Sequence, residues 1–238
     1  MNNIFNKVYS KDSNSFISKL SDYLDFNKKV FIITLNPETV MTSNKNKDLK
    51  KVLESDALII PDGIGIIYAA KLLGIKIKER ITGYDTMINL LSLANEKKKS
   101  IYLFGSEEDV LIKTVEKVKK EYPNVVIKGY TNGYVKDKDK VFEEIINKKP
   151  DICLVALGIP AQELLISKYI KRFKKGIFMG VGGSFDVFSE TKKRAPKIFI
   201  KLNLEWLYRL FKEPSRIKRF YNNNIKFIIY VLKNRKNR

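Results

Sequence analysis

Short apolar runs rich in β-branched residues recur along the first 180 or so residues of this 238-residue chain, each followed by an amphipathic segment. Val30–Leu35, Ala57–Ile60, Ser100–Phe104, Val125–Gly129, Asp151–Leu157 and Ile177–Val181 read as strands. Their nearly continuous apolar character predicts strands covered on both faces. Helices are predicted from Asn36-Pro37-Glu38 toward Glu54, near Ile64–Leu73, and over Asp85–Lys97, Glu107–Glu121, Lys138–Lys148 and Ala161–Phe173. Strands alternating with helices of roughly 10–15 residues build parallel sheets. The fold class is therefore α/β, a parallel-sheet, Rossmann-like core with helices on both faces. After about residue 190 the pattern changes. Leu202, Trp206, Arg209 and Leu210 have helical spacing, Pro214 breaks the run, and Asn222–Lys233 is helical again. Residues 191–238 thus read as a basic α-helical appendage on a catalytic core of residues 1–190.

Composition removes several chemistries. The chain has no His and one Cys, Cys153. Ser-His-Asp and Cys-His nucleophile pairs are therefore out, as are an intrachain disulfide and a cysteine-cluster zinc site. Acid–base work falls to carboxylates, Lys or Tyr. The net charge is +20, and it is uneven. From Thr191 onward there are 15 Lys and Arg against Glu205 and Glu213, while the preceding 190 residues carry 31 basic and 24 acidic side chains. Such asymmetry points to a polyanionic partner met by the C-terminal end: nucleic acid, an anionic membrane or a phosphorylated substrate. Met1–Asp12 lacks the apolar stretch of a signal peptide, and no run approaches the ~18 apolar residues of a spanning helix. The expectation is a cytoplasmic chain that touches a membrane from one side.

In a parallel α/β sheet, ligands sit outside the carboxyl ends of the strands. The exit sequences are Thr34-Leu-Asn36-Pro-Glu38, Pro61-Asp62-Gly63-Ile-Gly65, Phe104-Gly105-Ser106, Leu157-Gly158-Ile-Pro160-Ala-Gln162-Glu163 and Gly180-Val-Gly182-Gly183-Ser184-Phe-Asp186. Turns alone use the same residues, but five such exits together point to a site. Asp62, pinned between Pro61 and Gly63, suits a general base and equally suits a helix N-cap. Gly180, Gly182 and Gly183 can let a phosphate approach the backbone, though they lack the full G-x-G-x-x-G spacing. No G-x-x-x-x-G-K-[ST] is present, so a P-loop nucleoside triphosphatase is not supported. Arg80 and Asp85, in Arg80-Ile-Thr82-Gly83-Tyr-Asp85, offer a guanidinium suited to phosphate, or a surface Arg beside a capping Asp. Asp137-Lys-Asp139 has the spacing of a two-carboxylate metal site, but its flanking lysines and place at a helix start favour a structural role, and no metal is expected.

These motifs, with Arg194-Ala-Pro196 and Leu204-Glu205-Trp206-Leu-x-Arg209, occur in an order that strongly resembles the WecG/TagA/CpsF glycosyltransferase family across nearly the whole chain. The resemblance implies an inverting, metal-independent hexosyltransferase with no cofactor. It would move N-acetylmannosamine, or its uronic acid, from a UDP-sugar donor to undecaprenyl-diphosphate-linked N-acetylglucosamine. The N-acetylmannosamine version makes the linkage unit of wall teichoic acid, and the Lys-, Asn- and Ile-rich composition leans toward it. By the same resemblance Asp62 is the base and Arg80 stabilises the leaving diphosphate. Thr34, Asn36, Asp85 and Gln162 contact substrate, Gly180, Gly182 and Gly183 bind the nucleotide end, and Arg209, Arg216 and Arg219 reach the lipid diphosphate. Ala161, where many relatives carry a longer and often basic residue, bears on donor selectivity.

An anionic membrane surface on the inner face of the cell membrane is the expected partner of the appendage, with Trp206, Tyr208, Phe211, Phe220 and Tyr221 as bodies for a headgroup layer. Self-association into a homo-oligomer is left open. A nucleic-acid-binding protein would share the basic tail but leaves the strand exits unexplained, so no nucleic acid is expected. A dinucleotide dehydrogenase would carry its glycine-rich turn on the first strand, whereas here it follows the last.

Overall fold

The computed structural model describes residues 2–212, 217 and 221–236, the side chains of residues 2, 3, 209, 222 and 236 excepted. Helices α1 (Asn2–Phe5) and α2 (Ser13–Asp25) precede β1 (Lys29–Leu35), α3 (Pro37–Ser43), α4 (Lys47–Glu54), β2 (Leu58–Pro61), α5 (Ile64–Leu72) and α6 (Gly83–Glu96). Then come β3 (Ser100–Gly105), α7 (Glu108–Glu121), β4 (Val126–Thr131), α8 (Lys138–Lys148), β5 (Ile152–Ala156), α9 (Ala161–Tyr169) and β6 (Gly176–Gly180). The described C-terminal part holds α10 (Ser184–Phe188), α11 (Lys197–Lys201), α12 (Glu205–Lys212) and α13 (Lys226–Lys236).

The six strands form one all-parallel sheet in the order β2-β1-β6-β5-β3-β4. Alternate residues feed opposite cores, as the two-residue period of a strand requires. Phe31, Ile33, Leu35, Phe104, Cys153, Val155 and Phe178 pack with α1, α3, α4, α5, α8 and α9. Val30, Ile32, Ile101, Leu103, Ile152, Leu154, Ile177 and Met179 pack with α2, α6, α7 and α10. Each such side chain, once fully buried, contributes about 1.5–3 kcal/mol of transfer free energy, which is what holds both helical layers to the sheet. The α/β class with helices on both faces is thereby established, but β4, expected to be covered on both faces, is an edge strand with no fully buried residue.

The chain leaves β1 into α3 on one face and leaves the neighbouring β6 into α10 on the other. Adjacent strands whose exits diverge in this way open a crevice at their carboxyl ends.

Some local expectations are corrected. The single helix expected from Pro37 to Glu54 is two, because Asn46 Oδ1 accepts from the N–H groups of Asp48 (3.1 Å) and Leu49 (2.9 Å) and starts α4 afresh. Helix α2 was not anticipated, although Asp12 caps it and Phe16, Leu20 and Leu24 are spaced as one buried stripe. Leu202 is not in the helix of Trp206: it is an exposed residue closing α11. The late apolar run Phe227–Leu232 divides by face. Phe227 and Val231 are buried with the core that contains α3 and α5, while Ile228, Ile229 and Leu232 are exposed. Among the described residues no helix is long and apolar enough to cross a membrane.

Candidate active site

A cavity of about 650 Å³ opens above the carboxyl ends of the strands. That volume lies within the ~300–1,000 Å³ usual for small-molecule sites. Every strand contributes: Thr34, Asn36 and Glu38 after or at the end of β1, Asp62 after β2, Ser106 and Glu107 after β3, Tyr134 after β4, Gly158 and Gln162 after β5, and Gly182, Gly183 and Asp186 after β6. Glu205, Tyr208 and Lys212, spaced i, i+3, i+7, put one face of α12 on the wall.

Asp62 leaves β2 with its N–H donated to Leu35 O at 2.9 Å, so the backbone is tied to β1. Its Oδ1 accepts the N–H of Gly83 at 2.9 Å, the first residue of α6. The capping alternative raised by the sequence thus applies to a different helix. Position N-cap of α5 is Gly63, with no side-chain cap, whereas Asp62 bonds to the start of α6 beside it on the cavity wall. Gly83 also packs closely on β1, where a Cβ would lie 2.9 Å from Thr34 Cγ2.

Thr34 is buried at the wall and Asn36 caps α3, its Oδ1 accepting from Thr39 N at 2.9 Å. Gln162 is buried too. Its Oε1 accepts from Gly158 N and Gly182 N, both at 3.1 Å, and its Nε2 donates to Glu163 Oε1 at 2.7 Å. Gly180 does not line the cavity. It sits behind Gln162, where a Cβ would meet Nε2 at 2.5 Å. Gly182, at φ +49°, and Gly183 do line it.

Arg80 and Asp85 stand behind the wall rather than on it. Arg80 Nη2 donates to Glu205 Oε2 at 2.8 Å, with both side chains mostly buried. Asp85 N–H donates to the N-cap Thr82 Oγ1 at 3.0 Å, its Oδ2 accepts from that hydroxyl at 2.7 Å, and its Oδ1 accepts from Arg194 Nη2 at 2.7 Å. Arg194 also lies over the Tyr84 ring, 4.3 Å from its centroid, and its Nε comes within 3.7 Å of Glu205 Oε1. Arg209 belongs to α12, with its side chain outside the described set; Arg216 and Arg219 lie outside the described residues. Asp137 caps α8 through Lys140 N at 2.9 Å, and Asp139 pairs with Lys168 Nζ at 2.7 Å, so neither is turned toward a shared ligand with the other.

Sequence reasoning missed part of the wall. Tyr134, three-quarters exposed at the mouth, follows β4, and the strand-exit rule would have found it had the exit Asn132-Gly133-Tyr134 been treated like the other five. Lys192, Lys193 and Lys212 supply cations to the wall, with Lys192 Nζ 3.2 Å from Asp186 Oδ1. Their tract after α10 read only as basic surface.

The arrangement offers five carboxylates (Glu38, Asp62, Glu107, Asp186 and Glu205), neutral polar groups, open glycine backbone and three lysines around one cavity. This combination suits polar substrates bearing phosphate, with a base at hand. The model of the glycosyl transferase WecG/TagA/CpsF family matches residues 3–238. A Bacillus spizizenii strain W23 protein, an N-acetylglucosaminyldiphosphoundecaprenol N-acetyl-beta-D-mannosaminyltransferase, is 44% identical over 220 residues, covering 92% of this chain and 85% of that protein. The protein of that name from Bacillus subtilis strain 168 is 44% identical over 225 residues, covering 94% and 88%. The one from Staphylococcus aureus strain MW2 is 34% identical over 191 residues, covering 80% and 75%. With its six strand exits converging on one polar cavity and its matched length running from residue 3 to the end, this chain belongs to the WecG/TagA/CpsF family of glycosyltransferases.

Proposed function

We propose that the chain transfers N-acetylmannosamine from UDP-N-acetylmannosamine to undecaprenyl-diphosphate-linked N-acetylglucosamine, with inversion, as in the synthesis of wall teichoic acid. The observation that carries the reading is the Asp62 carboxylate, held at the cavity wall by the Gly83 N–H at 2.9 Å. The names and 44% identity of the two Bacillus relatives support the donor and acceptor.

In this reading the acceptor hydroxyl gives its proton to Asp62 as its oxygen bonds to the anomeric carbon. The bond from that carbon to the phosphate oxygen breaks, and its electron pair leaves with UDP. Thr34, Asn36 and the loops braced by Gln162 orient the sugar. The exposed ring of Tyr134 offers a face for a planar base, and Gly182 and Gly183 present backbone beside it. Charge growing on UDP is met by cations of the chain, Lys192, Lys193 and Lys212 on the wall and Arg80 once Glu205 yields it. Arg209, Arg216 and Arg219 complete the lipid-diphosphate end. No metal ion or other cofactor is needed in this scheme.

The membrane-facing surface lies within residues 191–238, peripheral on the inner leaflet, while Lys192, Lys193, Glu205, Tyr208 and Lys212 of the same segment turn to the cavity. Exposed Phe211, Ile217, Tyr221, Ile228, Ile229 and Leu232 among 15 basic side chains support interfacial binding.

The test is transfer to a short-chain lipid-diphosphate N-acetylglucosamine from a panel of UDP-sugars in EDTA. Product from UDP-N-acetylmannosamine is expected. Product only from UDP-N-acetylmannosaminuronic acid or a UDP-hexose would move the chain to another polysaccharide. A requirement for Mg²⁺ or Mn²⁺ would overturn the metal-free scheme.

A further inference from the structure

Gln162 lies on the cavity wall, yet its carbonyl oxygen is already spent. It accepts the N–H groups of Gly158 and Gly182 and so joins the loops leaving β5 and β6, two stretches of the cavity wall. An amide has unlike ends, and this brace works in one orientation only. Turned over, Gln162 would set its NH₂ against two N–H donors. Position 180 has no side chain to obstruct the brace, since a Cβ there would stand 2.5 Å from Nε2.

The other end of the amide is held by Glu163, whose Oε1 accepts from Gln162 Nε2 at 2.7 Å and so reinforces that orientation. Glu163 is 1% exposed in the first turn of α9, and its Oε2 has no hydrogen-bond partner. A carboxyl in such a place does not help stability, and a hydrocarbon of similar volume would serve the core as well or better. Burial, with the nearby Glu38 carboxylate adding to it, pushes the group up to about 7, against the help of the Gln162 amide and its own helix backbone. Around neutrality the neutral acid is thus well populated, and its carbonyl oxygen still accepts from Nε2.

We propose that Glu163 is a positioning residue for sugar transfer: its buried carboxyl locks the Gln162 amide in the orientation that ties the Gly158 and Gly182 loops into one donor-binding wall. The inference rests on the transferase reading above. Glu163 touches no reacting atom. Its effect passes through Gln162 to the loops, where a displacement near 1 Å costs on the order of 10²-fold in rate.

Two full-length variants separate this from a packing role. Glu163→Gln retains an acceptor oxygen for Nε2, whereas Glu163→Leu fills the space without one. Kinetics with UDP-N-acetylmannosamine should show Glu163→Gln within about threefold of wild-type kcat, and Glu163→Leu lowered roughly 10- to 100-fold with donor KM changed much less. Amide hydrogen exchange should accelerate about tenfold or more at Gly158 and Gly182 in Glu163→Leu alone. Wild-type kcat in Glu163→Leu, or a loss of kcat with both glycine amides as protected as before, would overturn the proposal. Should Glu163→Leu fail to fold, Glu163→Met poses the same comparison. If wild type transfers no sugar from any UDP donor, the transferase reading falls. The glycine exchange then still decides whether Glu163 sets the brace.

Discussion

Arg80 Nη2 and Glu205 Oε2 lie 2.8 Å apart across 125 residues of sequence, joining the loop before α6 to the first turn of α12. Glu205 is on the cavity wall and Arg80 is behind it. The cation assigned to the leaving diphosphate is therefore held by a carboxylate that faces the same space. Both side chains are mostly buried, 13% and 14% exposed, so removing either partner breaks a buried pair, with Arg194 Nε, 3.7 Å from Oε1, as the second cation beside Glu205.

Glu205→Gln keeps the shape, removes one negative charge from the wall and loosens the hold on Arg80. UDP should then bind about three- to tenfold more tightly, a change of order 1 kcal/mol for one partly screened charge. Titration calorimetry with UDP measures it. Weaker binding would make Glu205 a support that aims Arg80 rather than a competitor for it.

Asp62→Asn should lower turnover by about 10²–10⁴-fold while the fold stands. The asparagine carbonyl can still accept the Gly83 N–H, so the link from the β2 exit to α6 survives and only the basic oxygen is lost. Initial rates, with a thermal melt as control, check both halves. Turnover near wild type would remove Asp62 as the base.

Glu163 makes stability depend on pH in a direction unlike an exposed carboxylate. Its folded value of about 7 stands above the ordinary 4.5, raised first by burial and further by Glu38. The folded state holds the proton more tightly than the unfolded chain, so the advantage is complete below about 4.5 and is lost as pH rises toward and through 7. Glu163→Gln has no such proton to lose. Its stability relative to wild type should therefore increase from pH 5 to pH 8 by an amount on the order of 2 kcal/mol. Urea denaturation at the two pH values gives the difference, and a constant difference would contradict the assignment.

The two faces of α13 should respond differently to substitution. Ile228→Glu with Leu232→Glu, on the exposed face, should weaken sedimentation with anionic vesicles about tenfold or more and leave the melting temperature nearly unchanged. Phe227→Ala, on the buried face, should instead cost about 3–5 kcal/mol of stability. Vesicle binding unaffected by the double substitution would show that this face is not the anchor.

Much of this molecule was determined by sequence alone, because the signals are local. Short apolar runs rich in β-branched residues, alternating with amphipathic segments, admit few architectures, and five of the six strands are buried accordingly, β4 being the half-exposed edge. The strand-exit residues followed from the same reading, and Thr34, Asn36, Asp62, Gln162, Gly182 and Gly183 do stand around one cavity. The tertiary structure alone decided what depends on contacts between distant elements. The order β2-β1-β6-β5-β3-β4 brings the exit of β2 to the start of α6, which makes Asp62 a partner of Gly83. The course of the chain after α10 lays α12 against the cavity, so Arg80 meets Glu205 and Asp85 meets Arg194 instead of facing the ligand space. Periodicity says which face of an element is apolar. It carries no record of which polar residue, 125 positions away, will be packed close enough to neutralise it.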